Sequence, residues 1–408
     1  MKFLKDLRSV LNLTVIVAGL GYFVDLFDIT LYGVVRVASL KDLGITNPDE
    51  ILSAGAFIYN SMMFGMMIGG LLWGILADKK GRLSVMFGSI LLYSLANIAN
   101  AFAWNVESYA LFRFLGGVGL AGELGAAITL VAESLPKEKR GLGTAIVATL
   151  GMMGILAAAK LGGLVHWKTA YLVGGLMGIA LLFARFKISE SSMFQKHAAP
   201  AGSRGNFFLL FQRSRLVRYL ACIAVGLPVY FTTGVLWTFA PELTQGLGVI
   251  GEVTAGDAIL YGSIGLVIGD ILSGFLSQIF QTRKKVVGSF IALGFLFATI
   301  YTQVSGLTNT QIYLLCLLTG ICVGFWAVLV TMSAEQFGTN IRATVATTVP
   351  NFVRGSAILA VWTFAWLKPT IGAATAAISV ATVCFGLALI ALAFLSETFG
   401  KDLSFEET

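Results

Sequence analysis

The chain has 408 residues, of which 57% are hydrophobic and only 12% charged, with a mean hydropathy of +0.85; a soluble chain carries about a quarter charged residues. Its 28 Lys+Arg and 21 Asp+Glu bunch into short segments between apolar runs, each about 20 residues or more and able to cross a ~30 Å hydrocarbon core as a helix. Continuous apolar runs without period-two alternation exclude a β-barrel, and the distribution of the +7 net charge excludes a nucleic-acid footprint.

Twelve spans are predicted, at 13–37, 53–77, 83–104, 108–132, 142–164, 169–187, 218–240, 257–280, 286–305, 311–334, 344–366 and 371–395. The first is preceded by Lys2, Lys5 and Arg8 and lacks a small-residue cleavage site, so it reads as an uncleaved helix. Placing the N-terminus in the cytoplasm puts 21 Lys and Arg in the inner segments and three (Lys41, Lys168, Lys368) outside. The positive-inside rule fixes that orientation. Arg36, Arg113, Lys160 and Arg354 lie within spans, Lys160 close enough to the outer surface to snorkel.

The longest loop, 188–217, contains Pro200, Gly202 and Ser203 and ends in Arg213 and Arg215. It reads as a flexible cytoplasmic linker with a short surface helix over 207–215. It separates a six-helix half (1–187) from a six-helix half with a short cytoplasmic tail (218–408). An internal repeat supports the division: Gly65, Gly69 and Gly74 recur as Gly265, Gly269 and Gly274, offset by 200. Glu133 and Arg140 recur as Glu335 and Arg342, offset by 202, and Glu190 recurs as Glu397, offset by 207. Both halves start and end inside, so the repeat is parallel, about an axis along the membrane normal. The expected fold is an all-α membrane protein of twelve transmembrane helices in two pseudo-symmetric halves, with both termini cytoplasmic.

Four cysteines (Cys222, Cys316, Cys322, Cys384) fall inside spans as apolar filler, and two histidines (His166, His197) cannot make a metal cluster. No metal or cofactor is expected. H-E-x-x-H and G-x-S-x-G are both missing, which argues against a membrane-embedded enzyme.

The loop after the second span reads Gly74, Leu76, Ala77, Asp78, Gly81, Arg82, with Lys79 and Lys80 between. It resembles the G-x-L-A-D-x-x-G-R signature of the major facilitator superfamily. The second half keeps Gly274, Arg283, Lys284 and Lys285, with Gln278 in place of the acid. Arg113, Gly117, Glu123, Glu133, Pro136, Arg140 and Gly141 resemble the R-x-x-x-G…G-G-E…E-x-x-P…R-G pattern of metabolite–proton and lactate/sialate-type symporters, with Ala121 for the first glycine of G-G-E. Asp25, Asp28, Tyr32 and Gly33 are similar to the acid-x-x-D…Y-G stretch of the same symporters. Glu190 and Glu397 stand where sugar-porter-like members carry E-S-P and E-T-x-G segments. The resemblance implies a secondary transporter working by alternating access. A cytoplasmic charge lock would be formed from Asp78, Lys79, Arg82, Glu133, Arg140, Glu190, Glu335, Arg342 and Glu397.

Asp25, Asp28, Tyr32 and Arg36 recur at i, i+3, i+7 and i+11, one polar stripe on the first span. Carboxyls inside the bilayer are costly when charged, which makes Asp25, Asp28 and Glu123 candidates for proton coupling, with Arg113 nearby. The alternative is a fixed salt bridge, for instance to Arg113. Arg354, 12 residues past Arg342 and so about 18 Å along a helix, is a midplane guanidinium suited to a carboxylate; its alternative is a pair with Asp270. Asn351 shares its helix face. Tyr32, Arg36, Tyr230, Trp237 and Trp326 are further substrate candidates, with helix packing as the alternative for the aromatics. The expected function is proton-coupled import of a small organic anion by a monomer in a bacterial inner membrane, with the substrate, protons and lipid as its partners and no nucleic acid. Proton-antiport export of a drug or carboxylate siderophore, and transport of a sugar or other neutral solute, are the rivals.

Overall fold

A computed structural model describes residues 12–80, 82–123, 135, 140–185 and 212–400. Its helices are α1 (Leu13–Asp42), α2 (Pro48–Lys80), α3 (Arg82–Asn100), α4 (Val106–Leu120), α5 (Arg140–Leu164), α6 (Trp167–Arg185), α7 (Arg213–Val225), α8 (Leu227–Phe231), α9 (Ala240–Gln245), α10 (Ala255–Ile279), α11 (Arg283–Gln303), α12 (Asn309–Val323), α13 (Trp326–Glu335), α14 (Thr339–Gly355), α15 (Ala357–Ile371) and α16 (Ala373–Phe394). Among the described residues eight segments are long and apolar enough to span a membrane, and Ser84–Asn100 and Thr149–Leu164 are shorter apolar helices. Large apolar side chains face outward along them, Leu72, Phe183, Ile271 and Phe275 among them, as do Trp362 and Trp366 on α15. Such a surface suits lipid and would aggregate in water.

The chain divides into two compact units. One comprises Met1–Ser39 and Ser61–Arg204, the other Leu40–Asn60 and Gly205–Thr408. In the first, α3 lies along α4 and α6; in the second, α10 lies along α12, and α11 along α12 and α16.

Two of the three repeated glycine pairs reappear as repeated contacts, while Gly74 and Gly274 both face open space. In the first unit a side chain on Gly65 or Gly69 would run into the backbone of Phe114 or Val118, and one on Gly117 into that of Met62. In the second, Gly265, Gly269 and Gly320 stand in the same way against Leu317, Ile321 and Gly262. Every partner is displaced by 200 residues in α2 and α10 and by 203 in α4 and α12. Without a hydrophobic force between helices in lipid, such backbone proximity is a main source of their attraction. The helix starts repeat too. Asn105 and Ser108 form a capping box on α4, Thr308 and Gln311 one on α12, each satisfying N–H groups left open at a helix start.

Four spans expected as single helices are interrupted among the described residues, the eleventh only by a turn at Ser356 between α14 and α15. The fourth stops at Leu120, with Ala121 and Gly122 in a turn; residues 124–134 lie outside the described residues. The tenth breaks at Gly324 and Phe325, which is the same place 203 residues on. The seventh passes Gly226 and Pro228 into a π-helical stretch, Thr232–Thr238, a form that occurs mostly as short bulges. It also begins earlier than 218, because α7 already contains Arg213 and Arg215. The expected linker falls outside the described residues up to 211.

Candidate functional site

The periodicity of the first span places Asp25, Asp28, Tyr32 and Arg36 on α1, and all four are fully buried. Asp28 meets Arg113 of α4: Arg113 Nη1 donates to Asp28 Oδ1 at 3.0 Å and to Asn97 Oδ1 of α3 at 3.2 Å, and Nη2 donates to the Asp28 carbonyl at 3.4 Å. The guanidinium carbon lies 5.9 Å from the Tyr32 ring centroid and 5.4 Å from that of Tyr171, close enough for cation–π attraction. The hydroxyls of Tyr171 and Tyr109 are 2.8 Å apart, and Ser39 Oγ donates to Tyr109 at 3.3 Å. Trp167 stacks on Tyr109 with centroids 5.6 Å apart. Asp28 Oδ2 is buried and has no hydrogen-bond partner among the described residues.

Glu123 is built differently. The fixed salt bridge weighed as the alternative to proton coupling forms here with Arg185 of α6, while Arg113, named as one example of a partner, goes to Asp28; Arg185 reaches Glu123 through Nη1 to Oε1 at 3.0 Å and Nη2 to Oε2. Ser89 Oγ donates to Oε1 at 2.7 Å, and Arg185 Nη1 also reaches the Met86 carbonyl at 2.7 Å. Arg185, one of the 21 charges assigned to the inner segments, is wholly buried. It fits because Gly21 of α1 leaves room where a side chain would strike its guanidinium. Tyr93, also buried, lies within electrostatic reach of both acidic clusters. A charge at the last residue of an apolar run reads as loop charge, and only the missing side chain at Gly21 hinted otherwise.

In the second unit Arg354 is 3% exposed. Its Nε donates to the Tyr230 hydroxyl at 3.1 Å, and the Tyr230 ring meets Trp326 edge-on at 5.9 Å. Asn351, one turn earlier on α14, is buried as well. The suggested Arg354–Asp270 pair does not form; Asp270 Oδ1 accepts instead from the Ala327 N–H at 3.0 Å. Trp237 sits against Gly262, where a Cβ would strike its ring, and its indole N–H donates to Thr319 at 3.3 Å.

Of the expected charge lock, the side chains of Asp78, Lys79, Arg82, Arg140 and Arg342, and residues Glu133 and Glu190 altogether, lie outside the described residues. Among the described residues, Glu335 and Glu397 are each bound to groups of neighbouring segments. Arg283 donates to Glu335 at 2.7 Å although Gln278 replaces the motif acid. Arg218 Nη1 donates to the Gln336 carbonyl at 2.7 Å, and Gln336 exchanges hydrogen bonds with Ser396. Glu397 accepts from Thr282 Oγ1 and from the N–H groups of Arg283, Lys284 and Phe399. Burial raises the Glu397 pKa, but these donors outweigh it and hold the carboxyl at about 2.

Residues 18–349 match the Major Facilitator Superfamily. The chain belongs to that superfamily. It is 28% identical over 362 residues to the niacin transporter NiaP of Acinetobacter baylyi, covering 80% of each chain. It is 27% identical over 388 residues to the 4-hydroxybenzoate transporter PcaK of Pseudomonas aeruginosa, covering 85% of this chain and 84% of that one. The inward-open xylose transporter XylE from E. coli shares the fold, with a TM-score of 0.71 at 17% identity over 95% of this chain and 97% of that one. The major facilitator fold supplies the twelve-helix, two-halved architecture, and the chain is a multi-pass membrane transporter, not an enzyme.

Proposed function

We propose that the chain imports a small organic carboxylate together with a proton. In this reading it works by alternating access, as a monomer in a bacterial inner membrane with both termini in the cytoplasm. Residues 1–187 and 218–408 act as the two moving halves, joined by 188–217.

The observation that carries the coupling is the asymmetry of Asp28. One carboxylate oxygen holds Arg113, while the other is buried and has no partner among the described residues. A proton added there neutralises Asp28 and weakens its hold on Arg113, so proton occupancy changes what α1 and α4 exchange. Glu123 has donors on both oxygens, which moves it from the coupling set to a structural role. Asp25, one turn before Asp28 on the same buried stripe, stays in the coupling set.

The anion is assigned to Arg354, with Asn351, Tyr230 and Trp326 around it. A guanidinium beside an aromatic pair offers a carboxylate its counter-charge and a ring its stacking face. Niacin and 4-hydroxybenzoate, named for the relatives, are aromatic carboxylates and the natural first probes. Trp237 is left out because its ring and N–H are already used by Gly262 and Thr319. The test is transport in proteoliposomes. An inward proton gradient should drive accumulation of nicotinate or 4-hydroxybenzoate by wild type. Asp28→Asn should reduce that accumulation at least tenfold while sparing counterflow exchange. Undiminished gradient-driven uptake by Asp28→Asn, and by the Asp25→Asn/Asp28→Asn double variant, would remove these residues from the mechanism.

A further inference from the structure

The break in the tenth span has a cause and a cap, and the cap comes from another helix. Gly324 lies against the backbone of Leu266, Gly269 and Asp270, so closely that any side chain would strike α10. There α12 stops: Gly324 takes ψ 59° and Phe325 φ −124°, and α13 restarts at Trp326. A restarted helix exposes N–H groups with no intrahelical acceptor, and leaving them unpaired in the bilayer is costly. Phe325, at the N-cap position, offers no side-chain hydrogen bond. Asp270 Oδ1 fills that role, accepting from Ala327 N–H at 3.0 Å. A carboxylate is well placed there, facing the positive end of the helix dipole.

The residue at the start of α13 is the one that reaches the anion anchor. Trp326 abuts Tyr230, and Tyr230 accepts from Arg354 Nε. The first unit has no acid at the equivalent position. Position 70, equivalent to 270 by the 200-residue offset, is Gly, and position 123, equivalent to 326, is Glu. The acid on α10 therefore does not follow from the shared helix packing.

We propose that Asp270 is a positioning residue for the anion site. Capping α13 from α10, it fixes the direction in which Trp326 leaves the helix and so holds Tyr230 and Arg354 in register. The inference rests on the anion reading above, and the test separates the two. Binding of nicotinate and 4-hydroxybenzoate to purified protein is measured by calorimetry, giving both affinity and the fraction of protein that binds. Asp270→Asn keeps an acceptor of the same length without the charge and should bind within about threefold of wild type. Asp270→Glu keeps the charge but displaces the acceptor by a methylene, and should weaken binding about tenfold with the binding fraction unchanged. Asp270→Ala should weaken it further. A merely structural role would lower the binding fraction and leave the affinity of the folded remainder intact, and that result overturns the proposal. So does Asp270→Glu binding like wild type while Asp270→Asn fails, because charge rather than the cap would then be acting. Arg354→Ala is run in parallel: if it binds both probes as tightly as wild type, the anion reading fails. If it loses binding while Asp270→Ala does not, only the positioning role fails.

Discussion

Asp28 and Glu123 are both buried acids facing an arginine, and their surroundings give them opposite prospects. Glu123 takes two donors from Arg185 and one from Ser89. A buried pair is not in itself a large gain, because desolvation offsets most of the attraction, yet leaving one member alone is costly, about 3–5 kcal/mol. Arg185→Met should therefore melt well below wild type in detergent. Glu123→Leu/Arg185→Met should recover most of the loss, and both should be followed by thermal unfolding on a size-exclusion column. If the double variant is as unstable as Arg185→Met, the pair is not the source of the effect. The α1 stripe was legible because 3.6 residues per turn is a property of the chain alone. The partners of those acids were not, since Glu123 chooses Arg185 over Arg113 only once three helices have met.

Helix ends tell the same story one level up. Local caps such as Asn105 with Ser108 and Thr308 with Gln311 satisfy their N–H groups within four residues and stand plainly in the sequence. Two other starts, those of α11 and α13, draw acceptors from far away: Glu397 for the first and Asp270 for the second. Neither dependence follows from local spacing, which is why the tenth span read as one helix. Glu397 also makes a pH prediction. Its carboxyl is held at about 2, below the ordinary 4.5, so its stabilising contribution is full above about 4.5 and is lost as pH falls toward 2. Glu397→Gln should lower the melting temperature at pH 7, by the equivalent of about 1–3 kcal/mol for a charged hydrogen bond. The gap from wild type should close as the pH approaches 2. A gap that persists unchanged at pH 2 would show that packing, not ionisation, is at work.

For the whole chain, apolar run length and charge bias carried the reading, because a bilayer imposes a length and a sign on every segment. The orientation can be tested with the chain's own chemistry. Its four cysteines are all buried, so a single exposed thiol added to the natural sequence stands alone to an aqueous reagent. Ser305→Cys, in the turn between α11 and α12, should label in intact cells with an impermeant maleimide. Lys285→Cys, at the opposite end of α11, should label only after permeabilisation. The reverse pattern would invert the topology. The glycine contacts of α2 with α4 and of α10 with α12 have a different consequence, one for how such a chain changes over time. On the lipid face almost any apolar residue will serve, so two duplicated halves can drift there until no resemblance remains. Where one backbone lies against another, substitution has nowhere to go, and each half is held to the same small residue independently. Ancestry should therefore outlast function in these seams: relatives that carry quite different cargoes should still share them, while the residues around Arg354, the proposed anion site, should vary with what is carried.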